Sequence, residues 1–364
     1  MKKSILLISL FILAQQYVKA QGCVAIRSTG AVCTRQEASL NKTGGWQLNT
    51  SYRYFKSFRH FVGSEEQKER VEKGTDVRNW QHTLNLTLVR QFNNRWSMSI
   101  DAPIIYNDRS SMYEHYGNSS TNPNARRHTR AFGLGDVRVS GAYWLLDPVK
   151  HINGNIQVAL GIKLPTGDYR YQDFFWKNDT TSVLGPVDQS IQLGDGGTGL
   201  TVEINGYYNF SPMLGVYGNF YYLANPREQN GVSTARGGTP SATAIRYGTS
   251  VMSVPDQYMA RAGFNVSKQA FTASAGIRVE CIPSEDLIGG SSGFRRPGYV
   301  ISAEPSVSYR FKKLTAFASV PVAIERNRTK SHADKLRSSA ENINAHGDAA
   351  FADYSLNFGL LFRL

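Results

Sequence analysis

Trp96-Ser97-Met98-Ser99-Ile100-Asp101-Ala102-Pro103-Ile104 sets the period of this chain. Trp96, Met98, Ile100, Ala102 and Ile104 fall on one parity, and Ser97, Ser99 and Asp101 fall on the other. Side chains of a strand alternate between two faces, while those of a helix repeat every three to four residues, so this stretch reads as a strand with one apolar and one polar face. The same alternation runs through Trp46, Leu48, Thr50, Tyr52 and Tyr54, and through Leu84, Leu86 and Leu88. It recurs at Ile156, Val158, Leu160, Ile162 and Leu164, and finally at Tyr354, Leu356, Phe358, Leu360, Phe362 and Leu364. About 12 such segments of roughly 12 residues each are present, near the length a tilted strand needs to cross a bilayer.

The connections between them alternate in length. Short turns fall at Asn93-Asn94, Asp147 to Asn153, Ser211-Pro212, Ser267-Lys268 and Lys312-Lys313. Long polar loops fall at 58–77, 108–132, 167–196, 226–255, 282–297 and 327–350. A soluble sandwich has no reason to keep that alternation, whereas an outer-membrane barrel has short periplasmic turns and long extracellular loops. Aromatics gather toward the ends of the apolar faces (Trp46, Tyr54, Trp96, Tyr106, Tyr222, Tyr258, Tyr299, Tyr309, Tyr354), as interfacial girdles do. The expected fold is all-β: a transmembrane antiparallel β-barrel of about 12 strands in the bacterial outer membrane, surrounded by outer-membrane lipid. The last strand, ending Phe362-Arg363-Leu364, resembles the signal read by barrel-insertion machinery.

The mean hydropathy of −0.35 suits a barrel, in which only alternate strand residues meet lipid, and equally a secreted β-protein. Lys2 and Lys3, the apolar run Ser4 to Leu13, and Val18-Lys19-Ala20 read as a cleaved signal peptide over 1–20. That run falls short of the roughly 20 residues of a spanning helix. Residues 21–43 are expected to be a periplasmic lead or a plug, and 44–364 the barrel. Cys23 and Cys33 lie close together in an oxidising compartment and are candidates for a disulfide, while Cys281 is left over. The formal net charge is +13, with much of the excess in loops such as Arg126-Arg127-His128-Thr129-Arg130. Export argues against nucleic acid as the partner. Solvated loops, anionic headgroups or an anionic ligand are the readings left.

The polar faces carry Asp101, Arg138, Lys163, Glu203, Arg261, Arg278, Glu280, Glu304, Arg310, Glu325 and Asp353. All are expected to face the lumen, either as ion pairs that stiffen a narrow barrel or as a constriction that selects solutes. Asp101/Arg138 and Lys163/Glu203 are the expected cross-strand pairs. Gly289-Gly290-Ser291-Ser292-Gly293 and Gly194-Asp195-Gly196-Gly197-Thr198-Gly199 fit nucleophile-elbow and dinucleotide patterns, but neither precedes a helix as the chemistry requires. No nucleophile–base pair, metal-ligand cluster or cofactor motif emerges, so neither an enzyme nor a metal or cofactor site is expected.

The runs GLGDVRVSGAYWLLDP from Gly133, GIKLPTGDY from Gly161 and IQLGDGGTGLTVEINGYY from Ile191 resemble the MetA-pathway of phenol degradation family of outer-membrane proteins. RVECIPSEDLIGGSSGFRRPGYVISAEPSVSY and SVPVAIERNRTKSHAD resemble a Bacteroidetes-like subset of it. The resemblance spans Trp80 to the C-terminus. It implies a barrel that moves small molecules, hydrophobic or aromatic ones among them, and it supplies no binding residues. Asp136 and Asp168 are expected at the rim, and Asp286 is expected to pair with Arg295 or Arg296 across an ordered outer loop. The alternative is a sealed structural or surface-binding barrel whose outer loops hold the ligand.

Overall fold

The structure, a computed structural model, describes residues 44–115 and 122–364. The signal peptide, the 21–43 segment and the Cys23–Cys33 pair lie outside the described residues. The wall is built in chain order by β1 (Trp46–Val62), β3 (Arg78–Gln91), β4 (Trp96–Met112), β5 (Arg126–Leu134) with β6 (Arg138–Trp144), β7 (Gly154–Lys163) and β10 (Gly199–Asn209). It continues with β11 (Leu214–Ala224), β14 (Gln257–Lys268), β15 (Phe271–Ile282), β16 (Gly298–Phe311), β17 (Leu314–Ser319) with β18 (Val322–Asn327), and β19 (Ala349–Arg363). β5/β6 and β17/β18 each form a single stave, so the wall has 12 antiparallel staves, closed where β19 pairs with β1. The remaining strands belong to the loops: β2 (Glu65–Glu66), and the hairpins β8 (Gln172–Trp176) with β9 (Ser182–Pro186) and β12 (Gln229–Ser233) with β13 (Val251–Ser253). Among the described residues, closure pairs β1 with β19 along the lipid-facing wall, while β18 meets β19 only at Val322 and Tyr354.

The apolar parity faces outward. Trp96, Ile100, Ile104, Leu160, Ile162, Phe264 and Phe358 are all exposed on the barrel's outside, where a bilayer's hydrocarbon would cover them. Trp96 and Tyr143 pack together at the periplasmic collar, with ring centroids 4.6 Å apart. Tyr222 and Tyr258 stack at the extracellular collar, 6.2 Å apart.

Three features differ from the sequence reading. β1 and β4 have 17 residues each, because hairpins such as β4–β5 continue their ladder above the membrane up to Met112 opposite Arg126. The outer loops carry their own structure, including helix His332–Glu341, which opens on a Ser331/Asp334 capping box. Two staves are also interrupted. Ile104 faces Leu134 while Asp101 faces Arg138, so the Gly135–Val137 stretch holds one extra residue. In β18, Ala323 faces Ser302 but Glu325 faces Ile301, which makes Ile324 the extra residue of a bulge. A bulge reverses the facing of everything beyond it. Glu325 is therefore exposed on the outside, where it accepts a hydrogen bond from Tyr299, and Arg326 takes the inward place. Its expected lumen position is corrected on that ground.

Candidate functional site

The lumen is layered along its axis. Its periplasmic part is lined by amides and hydroxyls, among them Asn205, Asn209, Asn219, Asn265 and Thr272, all buried. Asn219 Nδ2 donates to Asn205 Oδ1 at 2.6 Å and to Glu203 Oε1 at 3.0 Å.

The middle layer is ionic. Asp101 on β4 and Arg138 on β6 sit opposite each other in register and pair at 2.6 Å; Arg138 also donates to Tyr221 Oη on β11 at 3.1 Å. Glu280 accepts from Arg278 at 3.0 Å, and Arg278 reaches Glu304 at 3.3 Å. Arg261 lies 3.5 Å from Glu304. The outer member of this network is Arg53 on β1, which pairs with Glu280 on β15 at 2.8 Å. The staves β16, β17/β18 and β19 lie between those two strands, so this pair is a chord through the lumen rather than a neighbour contact along the wall.

Lys163 does not pair with Glu203. In the β7–β10 ladder Lys163 faces Gly199 while Glu203 faces Ala159, nearer the periplasm. The Lys163 ammonium is held by Asp195, with Asp136 at 3.6 Å. Asp136 also accepts from the backbone N–H of Gly167 and Asp195, at 3.0 and 3.2 Å, fastening both ends of the 167–196 loop to the β5/β6 stave at the rim. Asp168 is exposed and caps its own turn by accepting from Arg170 N. Arg310 is half-buried near the periplasmic end of β16. Asp353 pairs with Arg59 and Arg326 high on the wall.

The extracellular half is filled by a segment read from sequence as part of a solvated loop. Residues 187–196 fold back into the barrel. Val187, Ile191 and Leu193 are buried against the inward-facing Ile105 and Ala131. The wall takes up the segment's backbone: Gln81 Nε2 donates to Ser190 O at 2.8 Å, and Asn107 Nδ2 to Ile191 O at 3.1 Å. Gln189 Nε2 donates in turn to Ser253 O and Phe294 O, both at 3.0 Å, on two other loops.

Asp188 anchors the segment. Arg296 grips it with two hydrogen bonds of 2.8 Å, and Arg236 and Arg109 lie at 3.3 and 3.7 Å. Glu114 joins the cluster through Arg109 and Arg236. Burial pushes the Asp188 carboxyl up, but Arg296, Arg109 and Arg236 overcome it and hold it well below the usual carboxylate range. Of the two arginines offered to Asp286, Arg295 takes it, in a fully buried two-bond pair at 2.6 and 2.7 Å. Arg296 goes to Asp188 instead.

A cavity of about 120 Å³ lies between the inserted segment and the wall, lined by Lys163, Asp195, Arg138, Tyr221, Leu223 and Ile282, among others. It adjoins both the ionic layer and the apolar side of the segment. Sequence reasoning missed Arg53, Asp188, Asp195 and Tyr221 as members of this site. The one available signal was Ile105 and Ala131, apolar residues on the polar parity that call for an apolar partner inside the barrel.

No family model matches the sequence. Among solved structures, an outer-membrane channel from Pseudomonas putida F1 is similar at a TM-score of 0.58 and 11% identity, covering 93% of this chain and 100% of that one. The β domain of the Bordetella autotransporter BrkA (TM-score 0.44, 12% identity, 89% and 100% covered) and the CymD monoaromatic hydrocarbon channel (0.40, 9%, 96% and 95%) are more distant. The chain has the fold of the outer-membrane barrels.

Proposed function

We propose that this protein is a passive outer-membrane channel for small molecules, constricted by its inserted segment and by the ionic layer beneath. The observation that carries this reading is the cavity on the lumen side of residues 187–196. Its lining places Lys163, Arg138 and Asp195 beside Leu223, Ile282 and the Tyr221 ring, so it offers both charged and apolar contacts to a small solute. A second reading, a sealed barrel whose outer loops bind at the cell surface, is favoured by the Arg53–Glu280 chord, which crosses the lumen.

Single-channel conductance of the refolded mature protein in a planar bilayer separates the two. Discrete steps whose size or ion preference shifts in Glu304→Gln support a water-filled path past the ionic layer. A silent protein that is folded, by its heat-modifiable migration, overturns the channel reading and favours the sealed barrel.

A further inference from the structure

The outer face of β1, β3, β4 and β5 is stratified, and the strand register shows it row by row. The lowest row considered is Tyr52–Leu84–Ile104–Leu134, wholly outward and apolar or aromatic. Above it runs Tyr54–His82–Tyr106–Phe132. His82 is held in that row by Tyr52 Oη, 2.6 Å from its Nδ1, and by ring contacts to Tyr54 and Tyr106 at 4.9 and 5.6 Å. Next comes Lys56–Trp80–Asp108–Arg130, and above that Arg78–Ser110–His128. Hydrocarbon, then an aromatic collar, then cations: this order matches a leaflet whose headgroups are anionic.

Within the upper rows, Lys56, Trp80, His128 and Arg130 keep surface open to a ligand, while Ser110 is buried and Arg78 pairs with Asp76. Lys56 Nζ lies over the rings of Phe58 and Trp80, at 4.7 and 5.6 Å, with no carboxylate within ion-pair distance among the described residues. The Arg130 side chain is 59% exposed and donates from Nε to Asp108 at 2.9 Å. His128 stacks on Trp80 and shares Asp108. Three inter-strand steps separate Lys56 from Arg130, about 14 Å at the usual strand spacing. That span suits a headgroup bearing a phosphate at each end. The opposite wall is different. Its aromatic row Tyr222–Tyr258–Cys281–Tyr299 donates to the carboxylates of Asp256 and Glu325 and places no cation in line.

We propose that this face binds one phosphorylated glycolipid of the outer leaflet, with Lys56 and Arg130 on its phosphates, Trp80 beneath the sugar, and the acyl chains on the two lower rows. The site is independent of whether the lumen conducts.

The test is native mass spectrometry of the full mature protein in detergent, titrated with bisphosphorylated lipid A, with the fully dephosphorylated lipid and with inorganic phosphate. The expected result is one retained bisphosphorylated lipid. Lys56→Gln/Arg130→Gln should weaken it about tenfold or more, in line with two lost cations at a charged interface. Glu325→Gln, on the β17/β18 stave outside these four strands, should leave it unchanged, and Lys56→Arg/Arg130→Lys should restore most of it. The three positions are on the outer surface, and heat-modifiable migration confirms folding of each variant. Equal retention of the dephosphorylated lipid, unchanged binding in the double variant, or saturation by inorganic phosphate alone would each overturn the proposal.

Discussion

Asp188→Asn is the most informative single change. The variant keeps the side chain's shape but changes a buried cluster of three guanidiniums and two carboxylates into three against one. Asp188 and Arg109 side chains are 4% and 2% exposed, so little solvent screens the loss. Removing one partner of such a buried network costs about 3–5 kcal/mol. Near Asp188 the segment's polar holds on the wall are the Gln81 and Asn107 amide bonds, worth about 1 kcal/mol each, and a long Ser190–Asn79 contact, while Lys163 and Asp136 hold its far end at Asp195. The loss exceeds the two amide bonds together, and it shifts the ratio of inserted to released conformations of the Asp188 end by roughly a hundredfold to a few thousandfold. Release unblocks the extracellular half of the lumen. The assay is paired: single-channel conductance of wild type and variant, and limited proteolysis of both in micelles. The expected outcome is a larger conductance together with new cleavage in the 170–200 loop. Identical conductance and an identical cleavage pattern, in a variant that is folded, would refute the claim that Asp188 pins the constriction.

Acid should act through the same cluster. The carboxyls of Asp188 and Glu114 are both held below their ordinary values; burial opposes this in each, and the arginines outweigh it. Groups with a depressed folded-state pKa contribute fully above the unfolded value of about 4 and lose that contribution as pH falls below it. Wild-type conductance should accordingly rise below about pH 4, and Asp188→Asn should show a weaker rise. Asp286→Asn strands Arg295, whose side chain is 1% exposed, and should cost about 3–5 kcal/mol in urea unfolding. Gly359 lies under the Phe317 ring directly opposite it, where an added Cβ would meet Cζ at 2.1 Å. Gly359→Ala should cost about 1–3 kcal/mol by the same measurement, and Phe317→Leu should relieve part of that.

The outward face of the barrel was legible because lipid imposes a period of two on every stave, and Trp96 to Ile104 displays it without interruption. The inward face was legible in composition but only partly in pairing. Asp101 and Arg138 meet because they fall opposite each other in register. Lys163 and Glu203 are joined by a 167–196 connection too long to fix register from sequence, and the true offset left Lys163 to Asp195. Glu325 was misplaced for a different reason: one extra residue at Ile324 turns the strand over, and nothing in Val322-Ala323-Ile324-Glu325 announces a bulge. The inserted segment was hidden because Val187, Ile191 and Leu193 are too sparse to look like a strand or a helix. They become a core only when set beside Ile105 and Ala131, residues more than 50 positions earlier in the chain.

The two constrictions resist opening to different degrees, which makes their contributions separable. The inserted segment is held by buried ion pairs and apolar packing, so moving it costs several kcal/mol. The Arg53–Glu280 chord is made of one long side chain and a carboxylate that keeps Arg278 at 3.0 Å when Arg53 departs. Glu280 is therefore never stranded. Where the lumen admits water, the pair approaches the roughly 1 kcal/mol of a solvated salt bridge. Arg53→Gln should consequently change ion preference toward cations, since it removes one positive charge from the layer, with little effect on stability or proteolysis. Asp188→Asn should do the reverse, changing conductance and cleavage more than preference. If Arg53→Gln alone raised conductance as much as Asp188→Asn, the chord and not the segment would be the governing barrier. The 187–196 insertion would then act mainly as the wall of the cavity beside it.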